Sequence, residues 1–226
     1  MPLNSPPSPP HAACYPKQFR SRATLERILT AAEDLLETRE FDELTMAELA
    51  RHADCGVGTV YGRLPNKESL LLCLHERYLA VGMEGTKRMF EQCCNAPLEE
   101  RVHRLCAYMV DFFSAHRGVT RAITNFLYTR PSDDISATVE SFRRNATTGY
   151  TQVAAFLAEK IDPAIHPVPQ VAAEFALLAA SDVAQSRIAF GARSGLQFNY
   201  SLDDLKTRIS VLLLAYLQHG QLPHKG

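Results

Sequence analysis

Leu44-Thr45-Met46-Ala47-Glu48-Leu49-Ala50-Arg51-His52-Ala53-Asp54-Cys55-Gly56-Val57-Gly58-Thr59-Val60-Tyr61-Gly62-Arg63-Leu64-Pro65-Asn66-Lys67-Glu68-Ser69-Leu70 is the stretch on which the fold turns. It opens on a T-x-x-E box, Thr45 to Glu48, in which hydroxyl and carboxylate satisfy orphan backbone N–H groups reciprocally. Leu44 and Leu49 sit at the staple positions around it. The box predicts a short helix from Met46 to about Ala53, Asp54-Cys55-Gly56 interrupts it, and Val57 to Leu64 resume a compact segment. Pro65 then stops the chain and Asn66 caps a further helix with an apolar run at Leu70, Leu71, Leu74 and Tyr78. Two short helices joined by a tight turn suit a helix-turn-helix, whose first helix braces across the DNA backbone while the second enters the major groove.

Upstream, Leu25, Ile28, Ala31, Ala32, Leu35 and Leu36 follow the i, i+3, i+4, i+7 rhythm of an amphipathic helix over Arg22 to Thr38. Lys17, Arg20, Arg22 and Arg27 face only Glu26, a basic arm ahead of that helix. Six of the thirteen prolines fall in Met1 to Pro16, with no apolar core of a signal peptide, and residues 1–19 read as a disordered Pro-rich tail.

The whole chain of 226 residues has a net charge of −1, so it is not basic throughout, and any phosphate attraction must be local. With 46% apolar and 22% charged residues it has the composition of a globular protein. The longest strictly apolar run, Val211 to Leu217, is far short of the roughly 18 residues of a membrane span. No C-x-x-C pair occurs among the six cysteines, which read as reduced thiols of a cytoplasmic protein.

Downstream, helical patterns run from Pro97 to Gly118, from Arg121 to Tyr128, from a Ser132-Asp133-Asp134 cap to about Ile161, from Val171 to about Phe190, and from a Ser201 cap over Leu202 to Leu217. Pro163, Pro167 and Pro169 mark the clearest break. No strand pattern appears. The expected fold is all-α, about nine helices: a helix-turn-helix domain over 20–66 and a larger helical domain over 67–226.

Gly56-Val57-Gly58-Thr59-Val60-Tyr61-Gly62 also approaches a dinucleotide-binding fingerprint, but that motif follows a strand and this one follows a capped helix. No P-loop, H-E-x-x-H or G-x-S-x-G motif points to an enzyme. His103 and Cys106 stand three apart on one helix without the further ligands a metal site needs. No cofactor, metal or catalytic residue is expected.

The quoted stretch closely resembles the tetracycline-repressor (TetR) family of bacterial regulators over about residues 20 to 75. Its most telling elements are the capped helix, Gly58-Thr59-Val60-Tyr61, and Pro65-Asn66-Lys67-Glu68 leading into Leu70. The resemblance implies that Val57, Gly58, Thr59 and Tyr61 face DNA and that Lys67 meets a phosphate. Thr45 sits at a helix N-terminus, where a phosphate is favoured, and Arg63 can neutralise another. Val57 and the Thr59 methyl suit a thymine methyl. Gly56 stands where the family usually has Ser, Gly62 where a larger side chain is common, Leu64 where an aromatic is, and Ala47 where some members carry Arg.

By the same resemblance, the larger domain surrounds a cavity for a small apolar or aromatic inducer. Tyr108, Phe112, Phe113, Phe126, Tyr128, Phe142 and Tyr150 are its candidate lining, with Arg121, Asn125, Arg130 and Arg143 as candidate partners for a polar end. A homodimer is expected through helices at about 171–190 and 202–217, Ala172, Ala173, Ala176, Ala179 and Ala180 allowing close approach and Leu205, Ile209, Leu212, Leu213 and Tyr216 supplying a stripe. The alternative is that these stripes bury within one chain. The expected function is a repressor released from operator DNA by its ligand; an activator or ligand-independent DNA binder is an alternative, and a helical-bundle enzyme a more distant one.

Overall fold

The computed structural model describes residues 19–130, 137–191 and 201–220. Residues 1–18 of the Pro-rich tail, Lys17 of the basic arm among them, and the Ser132-Asp133-Asp134 cap lie outside them. Among the described residues the chain is all-helical: α1 Phe19–Leu36, a 3-10 turn Phe41–Glu43, α2 Met46–His52, α3 Val57–Tyr61, α4 Lys67–Gln92, α5 Leu98–Ala115, α6 Arg117–Thr129, α7 Ala137–Ala158, α8 Pro169–Phe190 and α9 Leu202–His219. No helix among them is long and apolar enough to cross a membrane.

Local signals set the boundaries. Thr45, Asn66 and Ser201 cap α2, α4 and α9, each side chain accepting the backbone N–H three residues on. Pro169 begins α8 at a position where its missing N–H has no helical partner to lose.

Two apolar clusters hold the helices. The first joins Leu25, Ile28, Leu29 and Leu36 of α1 to Leu49, Val60 and Leu64, and reaches Leu70, Leu71 and Leu74 of α4. It does not stop there: Val119, Ala122 and Ile123 of α6 and Phe142 of α7 belong to it. The second cluster packs α5, α7, α8 and α9 around Val102, Leu105, Val110, Phe113 and Leu157. Each fully buried leucine contributes roughly 1.5–3 kcal/mol. On α4 a Cβ at Gly85 would run into the hydroxyl end of the Tyr108 ring, so a larger residue there would displace that ring.

Ala172, Ala173, Ala176 and Ala180 of α8, with Leu205, Ile209 and Leu213 of α9, are buried inside the second cluster, so this part of the expected stripes is spent within the chain. Ala179 and Leu212 of the same stripes stay exposed, and Val171, Phe175 and Leu178 on α8 and Val211 on α9 are exposed beside them. Cys55, Cys93, Cys94 and Cys106 are free thiols.

Candidate DNA-binding surface

The brace begins at Thr45. Its hydroxyl accepts the Glu48 N–H at 3.2 Å, and its own N–H donates to the Glu48 carboxylate at 3.2 Å. That carboxylate also takes the Arg39 guanidinium at 2.7 Å. Arg39, then Thr45, hold the Glu48 carboxyl well below the usual range, at about 2, so this clamp stays charged at any ordinary pH. Arg39, which gave no signal in the sequence, thereby ties the end of α1 to the start of α2.

Asp54 makes the turn. Its φ of 49° lies in the left-handed region, which Asp tolerates better than most side chains. Gly56, the expected turn residue, has an ordinary φ of −71° and serves as the uncapped entry to α3.

Only Val60 of α3 is buried, at 0% exposure, and it anchors the helix to the first cluster. Val57, Gly58, Thr59 and Tyr61 all face solvent, Tyr61 at 50%. The helix carries no charge. A Cβ placed on Gly58 would find nothing within 4 Å.

Around this face the predicted phosphate groups are arranged unequally. Thr45 is exposed. Arg63 is half-buried, and its Nε has no hydrogen-bond partner. Lys67 is already engaged: its ammonium donates to the Asp42 carbonyl at 2.9 Å and lies 5.1 Å from the Phe41 ring centroid. Two of its three donors stay available, and the tether fixes where they point.

The candidate inducer residues fall into separate groups. Tyr108 donates to the Gly82 carbonyl at 2.7 Å, and Phe112 is packed between Tyr78, at 4.6 Å, and His116, also at 4.6 Å. Phe113, buried in the second cluster, lies 6.1 Å from the Phe112 ring. Phe126 and Phe142 meet at 5.4 Å in the first cluster, where Phe142 stacks on His75. Tyr150 shares a hydrogen bond with the Ser181 hydroxyl, which accepts from Gln185 at 2.8 Å, and Thr124 donates to Gln185 at 3.4 Å. Tyr128 is 75% exposed. Of the candidate charged partners, Arg121 is buried against the end of α1 and Arg130 lies 3.6 Å from Glu68.

A braced short helix, a left-handed turn and a projecting uncharged helix with one buried anchor have the arrangement of a helix-turn-helix. Residues 28–74 match the family model described as "Bacterial regulatory proteins, tetR family". It is 30% identical over 104 residues to the HTH-type transcriptional regulator EthR of Mycolicibacterium smegmatis, a match covering 46% of this chain and 48% of that protein. The chain thus spans about half the length of the curated relatives it matches. Among solved structures, its fold is similar to the fatty acid degradation regulator FadR of Bacillus halodurans, with TM-score 0.65, 17% identity and coverage of 87% of this chain and 97% of that one. FadR of Bacillus subtilis, solved in complex with stearoyl-CoA, gives TM-score 0.61 at 13% identity, covering 84% and 97%.

Proposed function

We propose that this chain is a cytoplasmic, homodimeric repressor that binds operator DNA through α3 and leaves it when a small, largely apolar or aromatic ligand enters the helical domain. The observation that carries the reading is the outward face of α3: Val57, Gly58, Thr59 and Tyr61 project together from a helix held only by Val60. Such a face reads thymine methyls by contact, while Thr45, Arg63 and Lys67 set register on phosphates.

The second copy covers the exposed face of Val171, Phe175, Leu178, Val211 and Leu212. This face lies on the two helices from which a dimer was expected, and two-fold operators require two reading helices about one DNA turn apart. Residues 20–66 form the reading unit and 67–226 the sensing and pairing unit. The aromatic groups on α5, α6 and α7 favour an apolar ligand, with the Tyr150-Ser181-Gln185-Thr124 chain offering polar anchors. FadR of Bacillus subtilis, a protein of this fold, holds stearoyl-CoA, which supports an acyl or aromatic ligand class.

The test is binding to DNA from around the chain's own gene at two salt concentrations. Wild type is expected to bind saturably with strong salt dependence, Tyr61→Ala to lose about tenfold or more, and Lys67→Ala to weaken binding evenly and lower the salt slope by about 1. A folded dimer with no sequence-selective binding would overturn the reading.

A further inference from the structure

We propose that Arg121 on α6 is a positioning residue that fixes the angle at which the helix-turn-helix leaves the helical bundle, and so the half-site spacing the dimer accepts; this rests on the operator-binding reading above. Arg121 is 7% exposed. Its Nη2 donates to the Leu36 carbonyl at 2.8 Å and to the Arg39 carbonyl at 2.7 Å, and its Nε lies 3.2 Å from the Glu40 carboxylate. The carbonyls at the end of α1 have no intrahelical partners and present the negative end of the helix dipole. A planar, permanently charged fork satisfies the last α1 carbonyl, that of Leu36, together with the Arg39 carbonyl three residues beyond and the Glu40 carboxylate; a lysine ammonium is a point donor without that geometry.

One turn earlier on α6, Gly118 presses on the same spot. A Cβ there would stand 2.5 Å from both the carbonyl carbon and oxygen of Leu36. The joint is therefore a close backbone contact locked by a buried guanidinium. Its far side leads directly to the reading unit, because Arg39, whose carbonyl Arg121 holds, reaches Glu48 at 2.7 Å at the cap of α2. Its near side leads into the bundle, where Thr124, one turn further along α6, donates to Gln185 of α8. Arg121 touches neither the outward face of α3 nor the exposed face of α8 and α9, so its effect is on orientation.

The experiment uses full-length protein and duplexes enriched from a random pool by the wild type, resynthesised with one base pair added or removed between half-sites. One base pair changes the half-site separation by about 3.4 Å and the relative rotation by about 35°. Wild type is expected to lose about fivefold or more in affinity for either change. Arg121→Lys is expected to flatten this profile to within about twofold while remaining a folded dimer, and Gly118→Ala, which must move α1 off α6, to shift or flatten it independently. Variants that keep the wild-type spacing profile, even with affinity lowered evenly, would overturn the proposal. Should Arg121→Lys not fold, the Gly118→Ala profile decides. A wild-type protein that enriches no duplex overturns the operator reading itself, and this proposal with it.

Discussion

Gly58 is a residue without an internal reason. Its φ is ordinary, nothing lies near its missing Cβ, and glycine inside a helix costs about 1 kcal/mol relative to alanine. On the operator-binding reading proposed above, the space is left for DNA. Gly58→Ala is therefore expected to raise the melting temperature slightly yet weaken operator binding, which a thermal melt and a DNA titration on the same sample will read; weakened folding would contradict this. His75 and Glu76 are a second residue-scale case. Burial lowers His75 to about 4 and raises Glu76 to about 7, and both side chains hold a buried atom without a partner. The His75 contribution to stability is intact above its unfolded value of about 6.5 and is lost as pH falls through 4. The Glu76 contribution is intact below about 4.5 and is lost as pH rises through 7. Between pH 4.5 and 6.5 the two slopes oppose. Glu76→Gln removes one of them, so its denaturation midpoint is expected to climb steadily from pH 4 to 6.5 and to exceed wild type at pH 8, by about 1 kcal/mol or more.

Among the elements, the helix starts were the most legible part of the sequence, because a cap is a local contract: Thr45 with Glu48, Asn66 with Ser69, Ser201 with Asp204. The partner of an apolar face is not local. Leu205, Ile209 and Leu213 announce a helix with one apolar side, and nothing in their period says whether α5 or a second chain lies against it. Buried cations were invisible for the same reason: Arg121 answers carbonyls far earlier in the chain, and Arg101 answers Ala96, Cys94 and Phe156 carbonyls and Glu159 while lying over the Phe156 ring. Arg101 thus bolts α5 to the end of α4 and to α7. Arg101→Ala is expected to cost about 3 kcal/mol or more in denaturant unfolding, since it strands buried carbonyls. Operator affinity of the fraction that remains folded should be unchanged. On the recognition element, the sequence located α3 and its outward residues but not Asp54 as the left-handed hinge, nor the Lys67 tether.

For the whole molecule, pairing of two copies is expected to depend on the face that the chain leaves open. Phe175, 60% exposed, and Leu212, 63% exposed, are its most prominent members. Phe175→Glu with Leu212→Asp is expected to give a folded monomer in sedimentation velocity, with unchanged helix content and operator affinity reduced by orders of magnitude because two-site binding is lost. Persistence of the dimer in that variant would place the contact elsewhere. The packing across the division that the motif implied was not legible in the sequence. The first apolar cluster takes in Ile123 of α6 and Phe142 of α7 alongside Leu70, Leu71 and Leu74 of α4, and Phe142 stacks on His75 of α4. Modular exchange is constrained by that shared packing. A recombination event joining this reading unit to a foreign sensor at the motif's end would leave an apolar socket with no plug, so a viable chimaera must inherit α6 and the front of α7 together with α1 to α4, and lineages that swap sensors are expected to cut the chain there.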